Sequence, residues 1–132
     1  MTRFATQGLA LGLAGLGLLA LAPAAVAQQA STMTFFVTSA GKGDGANLGG
    51  LDGADAHCAA LAKAAGAAAT DWKAYLSTTL PGGDAGVNAR DRIGKGPWKN
   101  VKGDTIAANV DELHSDKANL TKQTIHAEKG EV

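Results

Sequence analysis

The sequence predicts a small α+β domain: a mainly antiparallel sheet with one helix, at about residues 53–65, packed on it. Three observations carry that expectation. Ala54, Cys58, Leu61, Ala62 and Ala65 fall at helical spacing on one face, between a capping Asp52 and a stopping Gly66. Asp71-Trp72-Lys73-Ala74-Tyr75-Leu76-Ser77-Thr78 alternates, with Trp72, Ala74 and Leu76 on one side and Lys73, Tyr75 and Ser77 on the other. Thr34-Phe35-Phe36-Val37-Thr38 is short, aromatic and β-branched, as strands are.

In chain order, the first 27 residues read as a secretory signal peptide. Arg3 supplies the positive start, residues 9–21 form an apolar run, Pro23 breaks it, and Ala25-Val26-Ala27 presents small residues for cleavage before Gln28. That run is too short to span a bilayer, so no membrane span is expected, and the chain is expected to be exported to the periplasm, cell envelope or medium. Residues 28–33 form a polar leader, and the domain itself is placed at 34–113. After the first strand comes a glycine-rich loop at 39–47. Its Gly41-Lys42-Gly43-Asp44-Gly45 lacks both the phosphate-loop spacing and the alternating oxygen ligands of a calcium loop.

The helix follows, with Asp52 as its cap and Asp55 suited to the positive end of its dipole. Its alanine face implies close approach to a sheet, with Cys58 in the buried stripe and His57 and Lys63 pointing elsewhere. After the strand at 71–78, Pro81-Gly82-Gly83-Asp84 makes a loop. Residues 87–93 fit either a short helix or an extended segment. Gly94-Lys95-Gly96-Pro97 is a turn, and residues 98–101 and 105–107 form a hairpin around Lys102-Gly103-Asp104. Asn109 caps a turn of helix. From residue 114 to 132 only Leu120, Ile125 and Val132 are large and apolar, so this stretch reads as a polar tail or the start of a truncated C-terminal half.

Composition narrows function. The formal net charge is +0, which argues against a nucleic-acid binder. Roughly a fifth of the residues from Gln28 onward are large and apolar, a thin supply for a self-sufficient core. Cys58 is the only cysteine, and exported domains of this size usually pair theirs. A buried free thiol, an intermolecular disulfide and a partner beyond the end of the chain all remain open.

Phe35-Phe36-Val37-Thr38-Ser39, the run from Asn47 to Cys58, Trp72-Lys73-Ala74-Tyr75-Leu76-Ser77, and the run from Asn88 to Trp98 together resemble a bacterial exported lectin-like family related to endostatin and the C-type lectin fold. The resemblance covers roughly residues 34–132. It implies a non-catalytic binding protein with a carbohydrate or extracellular protein ligand. It also implies that the domain continues past Val132, that the continuation holds the disulfide partner of Cys58, and that any calcium or sugar ligands of a full-length form lie there. No cofactor is therefore assigned to this chain. The competing expectation is a structural or cell-envelope interaction protein with no sugar site, or a non-functional fragment.

Candidate site residues are few. His57 and Cys58 are adjacent on a helix, about 100° apart, and poorly placed to share a proton, so no catalytic residue is assigned. The histidines at 57, 114 and 126 lack close ligand spacing, so no metal site is assigned. Arg90, Arg92, Lys95, Lys99 and Lys102 face only Asp91 in sequence and could form a surface for an anionic glycan. The acids at 104, 111, 112 and 116 could cancel that field. Trp98 could stack on a sugar at the edge of the same surface, while Trp72 is expected in the core. Asn119-Leu120-Thr121 matches a glycosylation acceptor.

Overall fold

A computed structural model describes residues 30–79 and 86–132. The signal-peptide assignment and the loop at 81–84 lie outside the described residues. The elements are α1 (Gly50–Ala64), α2 (Ala89–Arg92), β1 (Trp98–Lys99), β2 (Thr105–Ala107) and α3 (Val110–Leu113). This is a mixed α+β arrangement whose sheet, among the described residues, is one two-stranded antiparallel ribbon.

Helix α1 starts earlier than expected. Asp52 lies in its first turn, and the cap is Gly49, which contributes no side-chain bond. Gly49 and Gly50 have φ of 78° and 71°, backbone that glycine alone adopts freely, and they lead the chain into the helix. At the other end Gly66 has φ 87°, the Gly66 N–H bonds Lys63 O, and the Ala67 N–H bonds Ala62 O. That is a Schellman stop, which satisfies carbonyls the helix leaves open. Ala54 and Ala62 are buried on the expected face, but Cys58 is only half-buried, and Asp55 is buried beside them.

The hairpin forms where expected, in a shorter version. Trp98 faces Ala107 and Lys99 faces Thr105, with an irregularity between Trp98 and Lys99. The buried Asn100 holds its turn. Oδ1 of Asn100 accepts from the N–H groups of Lys102 (3.0 Å) and Asp104 (2.9 Å), and its amide donates to the Asp104 carboxylate and to Thr124 O. Asn88 and Asn109 cap α2 and α3 by accepting from Arg90 N and Glu112 N. Residues 87–93 thus resolve toward the short helix.

Two expected strands are not in a ladder. Residues 34–38 are extended, but Thr34 and Phe35 both donate to Lys99 O, and Val37 makes one parallel bridge to Ala127. Residues 71–78 also run outside any sheet. Ala74 N donates to Asp55 Oδ1, Leu76 N turns back to Ala74 O, and Thr78 N donates to Val87 O. The side-chain alternation holds for Trp72 and Ala74 and fails at Leu76, which is exposed. The reason is that this backbone finds its partners at scattered points, the Asp55 side chain, its own Ala74 carbonyl and Val87 O, rather than along a neighbouring strand.

The core has two small clusters. One holds Ala30, Met33 and Val101, with Phe36, Ala65, Ala67 and Trp72 against it; the other holds Trp98, Ile106 and Ala107, with Phe35, Ile93, Val110 and Leu113. Phe35 and Phe36 go to different clusters, as successive residues of an extended chain must. The stretch after residue 114 was expected to be unable to bury itself, yet His126 is 1% and Glu128 0% exposed. Hydrogen bonds, more than apolar bulk, tie it down. Asn119 N donates to Ile106 O, Val37 N to His126 O, and both the N–H and the hydroxyl of Ser39 to the Glu128 carboxylate.

Candidate functional site

The described part of the chain folds its Phe, Trp and Tyr residues around one opening. Phe35, Phe36, Trp72, Tyr75 and Trp98 are all the Phe, Trp and Tyr residues in the described part of the chain, and all five line one open cleft of ≈ 690 Å³. Its walls come from 34–42, α1, the 69–76 segment, the 93–98 turn and the end of α3. His57 and Cys58 of α1 and the exposed His114 also border it.

Each aromatic is set by a different local cause. Trp72 is half-buried, edge-on to Phe36 with ring centroids 4.9 Å apart, and its indole N–H donates to Ala69 O at 2.9 Å. Trp98 is 7% exposed, so its indole is mostly wall and offers little face to solvent. Gly96 lies directly on it. A Cβ at Gly96 would come 2.9 Å from the Trp98 ring, so the 94–97 turn can cross the indole only with glycine there. Tyr75 is the most available, at 58% exposed. Its hydroxyl meets His114 Nε2 at 2.7 Å, while Nδ1 of His114 lies 2.6 Å from Val110 O. A carbonyl only accepts, so Nδ1 carries the proton, and in the neutral ring Nε2 accepts from Tyr75. His57 donates from Nε2 to Ala40 O at 2.8 Å, which ties α1 to the 34–42 wall.

The far wall is held by Asp55, whose place in the sequence suggests only a helix-dipole partner. Arg92 donates to both of its oxygens, Nη2 to Oδ2 at 2.7 Å and Nη1 to Oδ1 at 3.1 Å. Lys73 Nζ (3.0 Å) and Ala74 N (2.8 Å) complete the shell, and Arg92 Nη1 also donates to Ala74 O at 2.7 Å. Burial by itself would raise the Asp55 pKa, and it is the largest single effect. The hydrogen bonds from Arg92, Ala74 and Lys73, with the charge of Arg92, together outweigh it and hold the carboxyl below its ordinary value. The available signal was an acid beside the small-residue stripe of α1, seven residues before the buried Ala62.

The basic surface anticipated at residues 90–102 is not assembled as such. Arg92 is turned inward to Asp55, Arg90 pairs with Asp111, and Trp98 is buried. Lys95, Lys99 and Lys102 remain exposed, Lys95 on the cleft rim. Cys58 is a free thiol in the cleft wall. Burial, and then the negative charge of Asp55, push its pKa up. That is the opposite of what a nucleophilic thiol requires. Among the described residues no group of three or more His, Cys, Asp or Glu side chains is placed to hold a metal ion, and no helix is long and apolar enough to cross a membrane.

No protein-family model, curated protein or solved structure matches this chain.

Proposed function

We propose that this chain is an exported, non-catalytic binding protein of lectin-like type that seats a carbohydrate or extracellular-matrix ligand in the aromatic cleft. One observation carries the proposal: every aromatic side chain in the described residues lines that single opening. Binding sites combine apolar and aromatic walls with a few placed polar groups, and here His57 and the Tyr75 hydroxyl oxygen supply them, with His114 holding the hydroxyl in place. The exposed ring of Tyr75, and after it Trp72, are the surfaces on which a sugar's C–H face would stack. The resemblance to endostatin-related, C-type lectin-like proteins supports the same reading and the finer fold that goes with it. The raised pKa of Cys58 favours a structural thiol over a catalytic one.

A second reading, a cell-envelope interaction protein with no sugar site, is favoured by the burial of Trp98, which leaves less stacking surface than the sequence suggests. A glycan array on the exported protein separates the two. Binding that weakens in Tyr75→Ala supports the lectin-like reading. Silence across the array, with capture of a cell-envelope protein that Tyr75→Ala abolishes, would replace it with the second.

A further inference from the structure

Among the described residues, the charged side chains lining the cleft are Lys42, Lys73, Lys95 and Asp71. Three cations face one anion, in a chain whose formal net charge is +0. None of the three lysines is neutralised outright. Lys42 donates to a carbonyl, Leu48 O at 2.8 Å, and so keeps its full charge. Lys73 reaches Asp55, but Asp55 is already bonded through both oxygens to Arg92, so that trio still carries a positive charge. Lys95 is exposed and has no hydrogen-bond or ion-pair partner among the described residues. It sits between Gly94 and Gly96, with φ of 82° and 86°, on the turn that Gly96 seats against Trp98. A cleft with low-dielectric aromatic walls and a net positive rim concentrates anionic ligands.

From this charge pattern we infer that the cleft selects an acidic saccharide, a hexuronate unit, over a neutral sugar. The inference rests on the binding reading above and narrows its ligand class. A hexuronate carries a C–H face for Tyr75 and Trp72 and, on the same ring, a carboxylate for the lysine rim. Lys95 is the cation free to meet that carboxylate, and Lys42 the next.

The test is a calorimetric titration of the full chain with trigalacturonate and with the same trisaccharide fully methyl-esterified, which keeps the skeleton and removes the charge. The acid should bind roughly tenfold tighter than the ester, the scale of one charge-assisted hydrogen bond. Its binding should weaken with added salt, as an exposed charge contact does. Lys95→Met should remove most of the preference for acid over ester, whereas Tyr75→Ala should weaken the binding of both. Equal affinity for acid and ester would overturn the charge selection and leave the binding reading standing. Absence of binding by either trisaccharide, with decanoate bound instead, would overturn both in favour of an apolar-anion site.

Discussion

Arg92 holds Asp55 by both carboxylate oxygens, at 2.7 and 3.1 Å, with each side chain only 11–12% exposed. The pair joins α1 to α2, and through Ala74 it fixes the extended segment that carries Trp72 and Tyr75. This one contact therefore sets the distance between two walls of the cleft.

Breaking that pair from one side should cost more than its own attraction, because the remaining charge stays buried. Arg92→Met is expected to destabilise the chain by about 1–3 kcal/mol, measured by urea unfolding, because Asp55 keeps Lys73 and Ala74 N as partners. Asp55→Asn should cost at least as much, since it leaves Arg92 buried beside Lys73 with no countercharge. The same carboxyl gives a pH signature. Its folded pKa lies below the ordinary 3.8, so its contribution is present in full above that value and is lost as pH falls through the lower folded value. Glu128 acts in the same direction. Burial raises its pKa most, but the Ser39 hydroxyl, its own backbone, the Ser39 N–H and the charge of Lys129 together bring it below 4.5. Asp55→Asn should flatten the acid limb of the stability profile; an unchanged limb would show that the carboxylate contributes nothing there.

Gly53 gives a prediction whose sign opposes helix propensity. Alanine is the better helix former by about 1 kcal/mol, so an open helical glycine gains from the change. Here a Cβ would lie 2.1 Å from Leu48 O and 3.3 Å from Lys42 Nζ, because the 42–48 loop lies down on the first turn of α1. Gly53→Ala is expected to lower the thermal midpoint, by the several degrees that an overpacking cost of about 1–3 kcal/mol implies for a domain of this size. A rise would mean that the loop does not rest on the helix.

The local parts of the fold were legible in sequence, and the long-range parts were not. The helix, the hairpin, the Asn109 cap and the Gly66 stop are written in short-range chemistry, within a few residues of each element. The 71–78 segment shows the limit. Its alternation reports which side chains are covered, but it cannot say whether the backbone pairs with a strand or with Asp55 and Val87. Residues 124–128 show another. Counting large apolar residues missed them, since His126 and Glu128 are buried by a backbone bridge and a serine. In the candidate site, Lys95 could be picked out; of the aromatics only Trp98 was, and it is buried, while Tyr75 and the two phenylalanines read only as strand residues. That Arg92 turns inward to Asp55, 37 positions away, could not, because no local rule pairs them.

His126 is 1% exposed, and neither ring nitrogen has a hydrogen-bond partner among the described residues. A neutral imidazole carries one donor and one acceptor, and leaving a buried polar group unmet costs about 1–3 kcal/mol. A leucine of similar bulk would remove both groups and keep most of the packing. His126→Leu is accordingly expected to raise stability by roughly 1 kcal/mol, which urea unfolding would resolve. The backbone carbonyl of His126, which accepts from Val37, is untouched by the change. A clear loss of stability would mean that the imidazole is engaged and that the region is built around it.

Cys58 offers a test of the wall itself. The thiol is half-buried, and burial with the nearby Asp55 charge raises its pKa, so little thiolate is present near neutral pH. Ellman's reagent, a bulky dianion, should therefore react with the folded chain more slowly than with the same chain in urea. Because Asp55 is a cause of that shift, Asp55→Asn should speed the folded-state reaction, while the unfolded-state rate stays the same. The comparison needs the variant to be folded, which its circular dichroism under the same conditions establishes. Equal rates for folded and unfolded wild type would place Cys58 outside the wall, and with it the helix face on which the cleft depends.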